Sequence, residues 1–252
     1  MRTCDLHTHT NFCDGKNSPE EMLLTAISLG MKTYGFSGHA HAFTDPDCSM
    51  TPEKMLAYRD EVLRLRDRYR DRINVLLGLE MDWFSSPPAF ACDYTIGSVH
   101  TVEWNGSYVT VDWTADRLRN WIDEVFGGDP YLLVSRYYET VGGIVERTGC
   151  DIIGHFDLVS KFNENGDFFD EDDPRYVRAW QSAADRLLAT GKTFEINAGA
   201  IMRGYRKTPY PSMRIYTYLK ERGASFTVNS DAHSCDHLRR FASLDFSAYG
   251  IE

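Results

Sequence analysis

Histidines and carboxylates recur in this sequence at the spacing that metal sites use. Near one end, His7-Thr8-His9 places two imidazoles two residues apart, so both point to the same side of an extended strand. Near the other end, Asp231 and His233 repeat this spacing with a carboxylate and an imidazole. Imidazole and carboxylate ligands together suit zinc, manganese or iron. The sequence therefore predicts a metal site built from segments far apart along the chain.

The elements that position these residues follow a repeated order of strand and then helix. Short apolar runs predict strands near residues 2–6, 32–37, 73–79, 94–99, 151–154, 193–196 and 225–229. Their apolar residues do not alternate strictly with polar ones, which is typical of strands covered on both faces. Strands that alternate with helices predict a parallel sheet, as either a barrel or a doubly wound sheet.

Capping and turn residues mark the ends of the intervening elements. Ser18 and Thr51, each followed by proline, and Thr114 predict helix N-caps. Glycines that fit helix C-terminal ends are Gly30, Gly191 and Gly223. The pair Asn105-Gly106 within residues 101–113 predicts a β-hairpin that leaves the main sheet.

A side chain capable of chemistry follows each predicted strand. In chain order these are His7 and His9, His39, Glu80, His100, His155, Asn197, and Asp231 with His233. A single histidine after a strand is more often structural, but six of the eight histidines occupy such positions. The strand C-termini of a parallel barrel meet at one face, where active sites lie. This placement favours the barrel and predicts a site for two or three metals at its mouth.

Composition limits the classes of partner. A length of 252 residues suits one α/β barrel, and we predict a single domain over residues 1–252. The formal net charge of −10 argues against a nucleic-acid partner. There is no signal peptide and no apolar stretch near the ~20 residues of a membrane span, so we expect a cytoplasmic protein without a membrane partner. The sequence does not indicate an oligomeric state.

The six cysteines lack CxxC spacing, which predicts free thiols. Cys13 and Cys235 lie beside the motifs, where a thiolate ligand is conceivable but has no partner cysteine at ligand spacing.

These motifs, in this order, resemble those of the PHP (polymerase and histidinol phosphatase) superfamily over most of the chain. Within it, the segments 97–100, 126–129, 151–158 and 195–200 are most similar to the stand-alone histidinol-phosphate phosphatases. The resemblance implies a distorted (β/α)7 barrel, TIM-like, with three divalent metal ions at the C-terminal mouth of the strands. The implied reaction is metal-dependent hydrolysis of a small phosphorylated substrate, L-histidinol phosphate, in histidine biosynthesis.

The resemblance also assigns the ligands. His7, His9, Glu80 and Asp231 would hold one metal. Glu80 would bridge to a second metal, held by His100 and His155. The third would involve His39 and His233, with Asp14 in place of a histidine that some relatives carry after the HxH motif. Catalytic roles would fall to Asp231, Glu80 and His233, with Asp231 or a water protonating the leaving oxygen.

Cations for the phosphate are expected after the sixth predicted strand. Arg203 is the first candidate, because arginine offers a two-pronged donor to phosphate, followed by Arg206 and by Lys161 near His155. His41 is expected at the rim or in support of the site, and His237 near a helix start. Trp104 and Tyr108, in the predicted hairpin, are expected in packing or in a lid over the substrate.

Three alternatives remain open at this point. The substrate could be another small phosphate ester or a nucleotide, or the metal site could hydrolyse an amide or ester instead. A binding module with no catalytic activity would be indicated by the loss of a motif residue, and every motif residue is present.

Overall fold

The protein, described by a computed structural model over residues 3–250, contains a seven-stranded parallel sheet with helices between its strands. The sheet strands are β1 Cys4–Asp5, β2 Thr33–Phe36, β3 Asn74–Asp82, β4 Tyr94–Ser98, β7 Ile152–Ile153, β8 Thr193–Asn197 and β9 Phe226–Asn229. Every predicted strand is present. Strand β3 is longer than predicted, so Glu80 lies inside the strand and not after it. Residue 2, where the first predicted strand begins, lies outside the described residues.

The sheet curls until its two edges nearly meet. Its strands follow the order β1-β2-β3-β4-β7-β8-β9, and all neighbours are parallel. Between the edges, the Leu6 amide donates to the Asn229 side chain (3.0 Å) and the Ser230 amide donates to Asp5 (3.0 Å). One step further, the His9 amide donates to the Ala232 carbonyl (2.9 Å). These contacts confirm the distorted barrel and exclude the doubly wound sheet.

Helices cover the outside of the barrel. They are α1 Pro19–Ser28, α2 Pro52–Tyr69, α3 Ala115–Val125, α4 Pro130–Gly142, α5 Ile144–Thr148, α6 Pro174–Leu188, α7 Gly199–Met202, α8 Met213–Glu221 and α9 Cys235–Phe241. The predicted N-caps at Ser18, Thr51 and Thr114 are confirmed, because each side chain accepts a backbone amide from the first turn. At Ser18, Glu21 bonds back to the cap amide and completes a capping box.

The predicted hairpin is also confirmed. Strands β5 Thr101–Trp104 and β6 Ser107–Thr110 pair antiparallel across Asn105 and Gly106. Both turn residues have positive φ, 50° and 83°, which is the requirement of a tight turn that fits the twist of a hairpin.

Tyr94 fills the barrel interior below the mouth. Its hydroxyl donates to the carbonyls of Leu6 (2.5 Å) and Phe36 (3.1 Å). The tyrosine fits only because two neighbouring strands carry glycine beside it: a Cβ on Gly35 would lie 2.3 Å from the hydroxyl, and one on Gly78 would lie 2.4 Å from the ring. The barrel is therefore a packed core and not a pore.

Among the helices of residues 3–250, none combines the length and the apolar character needed to cross a bilayer.

Candidate metal centre

The barrel brings the predicted ligands to one mouth. His7 and His9 follow β1, His39 follows β2, and Glu80 lies near the C-terminal end of β3. The remaining ligands follow the later strands: His100 after β4, His155 after β7, and Asp231 and His233 after β9. Five of these side chains are each at most 4% exposed, so this part of the centre is shielded from bulk water: His7, His9, Glu80, His155 and Asp231.

One group of ligand atoms surrounds one carboxylate oxygen of Glu80. Oε2 of Glu80 lies 3.2 Å from His7 Nε2 and 3.4 Å from His9 Nε2. Asp231 Oδ1 lies 3.7 Å and 3.3 Å from the same two nitrogens. The four side chains that the resemblance assigns to one metal thus lie together.

The other oxygen of Glu80 faces a second group. Oε1 lies 3.0 Å from His155 Nε2 and 3.6 Å from His100 Nε2. Because Oε2 faces the first group and Oε1 faces the second, Glu80 is the side chain that could hold an ion in each.

A third group contains Asp14. His233 Nε2 lies 3.1 Å from Asp14 Oδ2, and His39 Nε2 lies 3.7 Å from Asp14 Oδ1. The Nδ1 atom of His9 is 3.6 Å from the same oxygen, so His9 faces this group with its second nitrogen. The grouping of His9, Asp14, His39 and His233 supports Asp14 as the substitute ligand.

The chemistry of the ligand atoms fits metal ions. His7 Nε2, His9 Nε2 and Glu80 Oε2 are buried and have no hydrogen-bond partner among the described residues. Buried polar atoms normally have partners, because leaving one unpaired costs about 1–3 kcal/mol. A divalent cation accepts all three lone pairs at once, which a hydrogen-bond donor could not do.

A carboxylate that the sequence reasoning did not single out orients His7. Glu195 is fully buried, and His7 Nδ1 donates to its Oε1 over 2.7 Å. Because a carboxylate only accepts, this bond fixes the proton on Nδ1 and leaves the Nε2 lone pair free for a metal. A glutamate in the apolar run Phe194-Glu195-Ile196 was the signal that could have identified it.

Among residues 3–250, four donors hold the Glu195 carboxylate. Besides His7, Asn229 Nδ2 donates to Oε1 (2.9 Å), and Asn197 Nδ2 (2.9 Å) and the His155 amide (3.0 Å) donate to Oε2. Asn197, expected at the mouth among the metal-type residues, instead supports this carboxylate and lies outside the candidate ligand groups.

Other backbone and carboxylate groups orient the remaining imidazoles. Asp82 lies 3.4 Å from His100 Nδ1 and accepts the His100 amide over 2.8 Å. The Asp231 carbonyl accepts from His233 Nδ1 over 2.9 Å, so His233 Nε2 is free to face Asp14. Asp231 itself has a φ of 52°, a conformation that few residues other than glycine adopt and that often marks functional sites.

The charges in the centre act strongly on one another. Burial raises the pKa of Glu80 and of Asp231, but neighbouring histidines, and Arg203 beside Asp231, hold both pKa values well below the usual range. Burial lowers the pKa of His7, while Glu195 and Glu80 raise it well above the ordinary value. Burial and the neighbouring imidazoles lower the pKa of His9 to about 3. The carboxylates of the centre are therefore ionised at neutral pH, as ligands must be.

A cavity of about 490 Å³ opens beside the centre, and two of the three predicted cations line it. Arg203 donates to Asp231 Oδ2 over 3.0 Å. Lys161 is 5% exposed and donates to the backbone and the carboxylate of Asp112 (2.6 and 3.2 Å). Both cations thus line the cavity together with several of the predicted metal ligands.

Arg206, the other predicted phosphate ligand, is not part of the cavity wall. Its guanidinium donates to Ser160, lies 3.4 Å from Glu164 and stacks on the ring of Tyr210. These partners hold the guanidinium outside the lining of the cavity, so Arg206 remains a prediction that the cavity itself does not support.

The remaining predicted residues have packing roles. His41 Nδ1 donates to the Met50 carbonyl (3.2 Å), and His237 lies in the first turn of α9. Trp104 packs against Phe126 and does not form a lid. Tyr108 is 45% exposed and contacts Phe43 and Phe84 at the rim.

The prediction of free thiols is confirmed for all six cysteines. Neither Cys13 nor Cys235 belongs to the candidate ligand groups.

Comparison with known proteins agrees with this geometry. The PHP domain family matches residues 5–199. A Schizosaccharomyces pombe protein named probable histidinol-phosphatase is 27% identical over 248 residues, covering 90% of this chain and 79% of that protein. The histidinol-phosphatase of Bacillus subtilis is 24% identical over 257 residues, covering 92% and 94%.

Two solved structures share the fold. A candidate histidinol phosphatase, hisK, of Listeria monocytogenes aligns with a TM-score of 0.80 at 21% identity, covering 98% of this chain and 99% of that one. The histidinol phosphate phosphatase of Lactococcus lactis, solved with zinc, L-histidinol and phosphate, aligns with a TM-score of 0.66 at 20% identity, covering 97% and 95%. At this level of identity the likeness concerns the fold.

Proposed function

Because this chain belongs to the PHP domain family, we propose that it is a metal-dependent phosphatase that hydrolyses L-histidinol phosphate to L-histidinol and phosphate. One observation carries the proposal: side chains from each of the three proposed ligand groups line one cavity together with two cations, Lys161 and Arg203. The names of the two similar sequences support the substrate and its place in histidine biosynthesis. The single domain predicted over residues 1–252 is part of this proposal.

The proposed metal ligands follow the three groups. His7, His9, Glu80 and Asp231 would hold one ion, and Glu80, His100 and His155 a second. Asp14, His39 and His233 would hold a third. Bound divalent metals activate water for attack and stabilise the charge on phosphoryl oxygens, and zinc, manganese and iron all suit these ligands.

The protein's own groups orient the substrate and balance its charge. Arg203 offers two donors to non-bridging phosphate oxygens, and Lys161 adds a point charge. Both are fixed in place, Arg203 by Asp231 and Lys161 by Asp112, so little reorganisation precedes reaction.

The proton for the leaving oxygen has a less obvious source. Burial raises the pKa of Asp231, but the opposite effect of Arg203 and His7 is larger and holds this pKa well below its usual range. The carboxyl group is therefore ionised at neutral pH. This direction disfavours Asp231 as the proton donor and favours water, the other donor that we predicted.

Initial rates with L-histidinol phosphate test the proposal. Metal-loaded protein, with its metal content measured in parallel, would be compared on sugar phosphates, nucleotides and an aryl phosphate. We expect kcat/KM for histidinol phosphate to exceed the panel by orders of magnitude and to approach ~10⁵ M⁻¹s⁻¹. Protein that binds two or three metals but hydrolyses only the aryl phosphate would overturn the substrate assignment.

A further inference from the structure

One wall of the cavity is formed by residues that are not metal ligands. Asp45, Asp47 and Cys48 come from the segment between β2 and α2, and Trp113 comes from the segment between β6 and α3. Asp47 and Trp113 are exposed and lie at the solvent side, whereas Asp45 and Cys48 are half-buried. This wall faces the same space as Lys161 and Arg203.

The two aspartates of this wall carry uncompensated charge. Two other carboxylates that line the cavity have cationic partners: Asp112 lies 3.2 Å from Lys161, and Asp231 lies 3.0 Å from Arg203. Asp45 and Asp47 form no ion pair with any residue of the described chain. Burial and the carboxylates of Asp45, Asp14 and Asp112 raise the pKa of the Cys48 thiol, as expected in a negative potential.

Two further groups of the wall are free to contact a ligand. The Trp113 side chain is 64% exposed although it is large and apolar, so it offers a flat surface at the cavity entrance. The Thr44 hydroxyl is buried, lines the same cavity, and has no hydrogen-bond partner among residues 3–250. An aromatic face attracts a flat ring by stacking and a cation by its quadrupole.

We propose that Asp45, Asp47 and Trp113 form a subsite for a cationic group with a flat ring, carried by the same molecule as the phosphate. The aspartates bind the ammonium group and Trp113 stacks on the imidazole. This inference rests on the proposed function. It assigns the residues that recognise the ammonium and the imidazole of the substrate, which the metals would not contact.

The subsite also explains which phosphate esters are rejected. A metal centre with Lys161 and Arg203 binds any phosphomonoester, so selection must come from the rest of the cavity. Sugar phosphates offer no cation to Asp45 and Asp47, and the further phosphates of a nucleotide would face their negative charge. Neither aspartate belongs to a candidate metal-ligand group of the described residues. The cation that we place here is organic, because it belongs to the molecule that carries the phosphate.

The first test is a comparison of two substrates that differ in one charge. Histidinol phosphate would be compared with the analogue in which a hydroxyl group replaces the ammonium. We expect the wild type to prefer the ammonium compound at least tenfold in kcat/KM, and the double variant Asp45→Asn/Asp47→Asn to prefer it less than about threefold. Asp123→Asn, an exposed aspartate of α3 outside the cavity, is the matched control and should keep the wild-type preference.

The second test is binding of L-histidinol, which lacks the phosphate, measured by calorimetry on the metal-loaded protein. The double aspartate variant and Trp113→Ala should each weaken this binding about tenfold or more. Trp113→Phe should retain most of it, because the aromatic face is kept. Metal content equal to that of the wild type shows that each variant keeps its fold and centre.

The outcomes separate the two proposals. If the wild type hydrolyses histidinol phosphate selectively but the double variant keeps the full preference for the ammonium, the subsite is wrong and the proposed function stands. If histidinol binding depends on the aspartates but histidinol phosphate is hydrolysed no better than the panel, the subsite stands and the proposed function fails. Wild-type protein that does not bind histidinol, shows no preference for the ammonium and hydrolyses histidinol phosphate no better than the panel overturns both.

Discussion

Replacing Glu195 with glutamine should weaken metal binding about 10- to 100-fold while leaving the barrel folded. The side chain keeps its volume, but one of its two oxygens becomes an NH₂ group. All four partners of the carboxylate donate: His7 Nδ1 and Asn229 on one oxygen, Asn197 and the His155 amide on the other. In either orientation of the glutamine amide, its NH₂ group therefore faces side chains or amides that also donate, and no hydrogen bond can form there.

The magnitude follows from the two orientations. If the NH₂ group faces His7, the imidazole must accept at Nδ1 and carry its proton on Nε2, where the metal should bind. If it faces the other way, the buried donors of Asn197 and His155 lose their acceptor. A buried group left without its partner costs about 1–3 kcal/mol, which corresponds to roughly 5- to 150-fold in affinity.

Competition with a chromophoric chelator gives the zinc affinity, and thermal unfolding gives the stability. Asp157→Asn is the matched control, because Asp157 is also fully buried but accepts the Ser212 amide (2.9 Å) and contacts no proposed ligand side chain. Asp157→Asn should bind zinc as the wild type does. Wild-type zinc affinity in Glu195→Gln would refute the argument that Glu195 sets the proton position of His7.

Three further predictions concern the cavity and the core. Arg203→Ala should lower kcat about 10²- to 10³-fold in a phosphatase assay, and Arg203→Lys should recover only part of it, because lysine keeps the charge but not the two-pronged geometry. Asp112→Asn should lower the free energy of unfolding at pH 7 by about 2 kcal/mol. Burial raises the Asp112 pKa but Lys161 lowers it to about 2, so its contribution is complete above pH ~4 and disappears as the pH falls from about 4 to 2. Gly35→Ala should destabilise the barrel by about 1–3 kcal/mol, since its Cβ would lie 2.3 Å from the Tyr94 hydroxyl, and Tyr94→Phe should partly relieve this loss in a double-mutant cycle.

Each of these has an outcome that contradicts it. Arg222→Lys, at the exposed end of α8, is the control for Arg203→Lys. Equal activity in these two variants would show that Arg203 does not bind the phosphate. For Asp112, denaturant unfolding at pH 7 and pH 3 should show a smaller difference from the wild type at the lower pH, and a constant difference would argue against the ion pair with Lys161. Additive effects of Gly35→Ala and Tyr94→Phe would show that the two positions do not clash.

Local sequence patterns predicted most of the fold. The strands, the N-caps at Ser18, Thr51 and Thr114, and the turn at Asn105-Gly106 depend on residues a few positions apart. These features can be predicted from the sequence because capping bonds and turn conformations depend on single residues and their near neighbours.

Residues whose role depends on distant partners were harder to predict. Trp104, expected either in packing or in a lid, packs against Phe126. Arg206, expected at the mouth because it follows the sixth predicted strand, stacks on Tyr210 outside the cavity lining. Glu195 was not singled out, because its function exists only through His7, 188 residues away. The subsite of Asp45, Asp47 and Trp113 joins two loops that share no motif.

The sequence by itself predicted the seven strands and placed side chains able to bind metal at or near the ends of six of them, since strand pattern and ligand type are local properties. Only the tertiary structure decided how those side chains group around the two oxygens of Glu80, and which cations and aspartates share their cavity. The reason is the curvature of the sheet: closing it between β1 and β9 sets the distances between strand ends to within a few ångströms, and coordination depends on distances of that size.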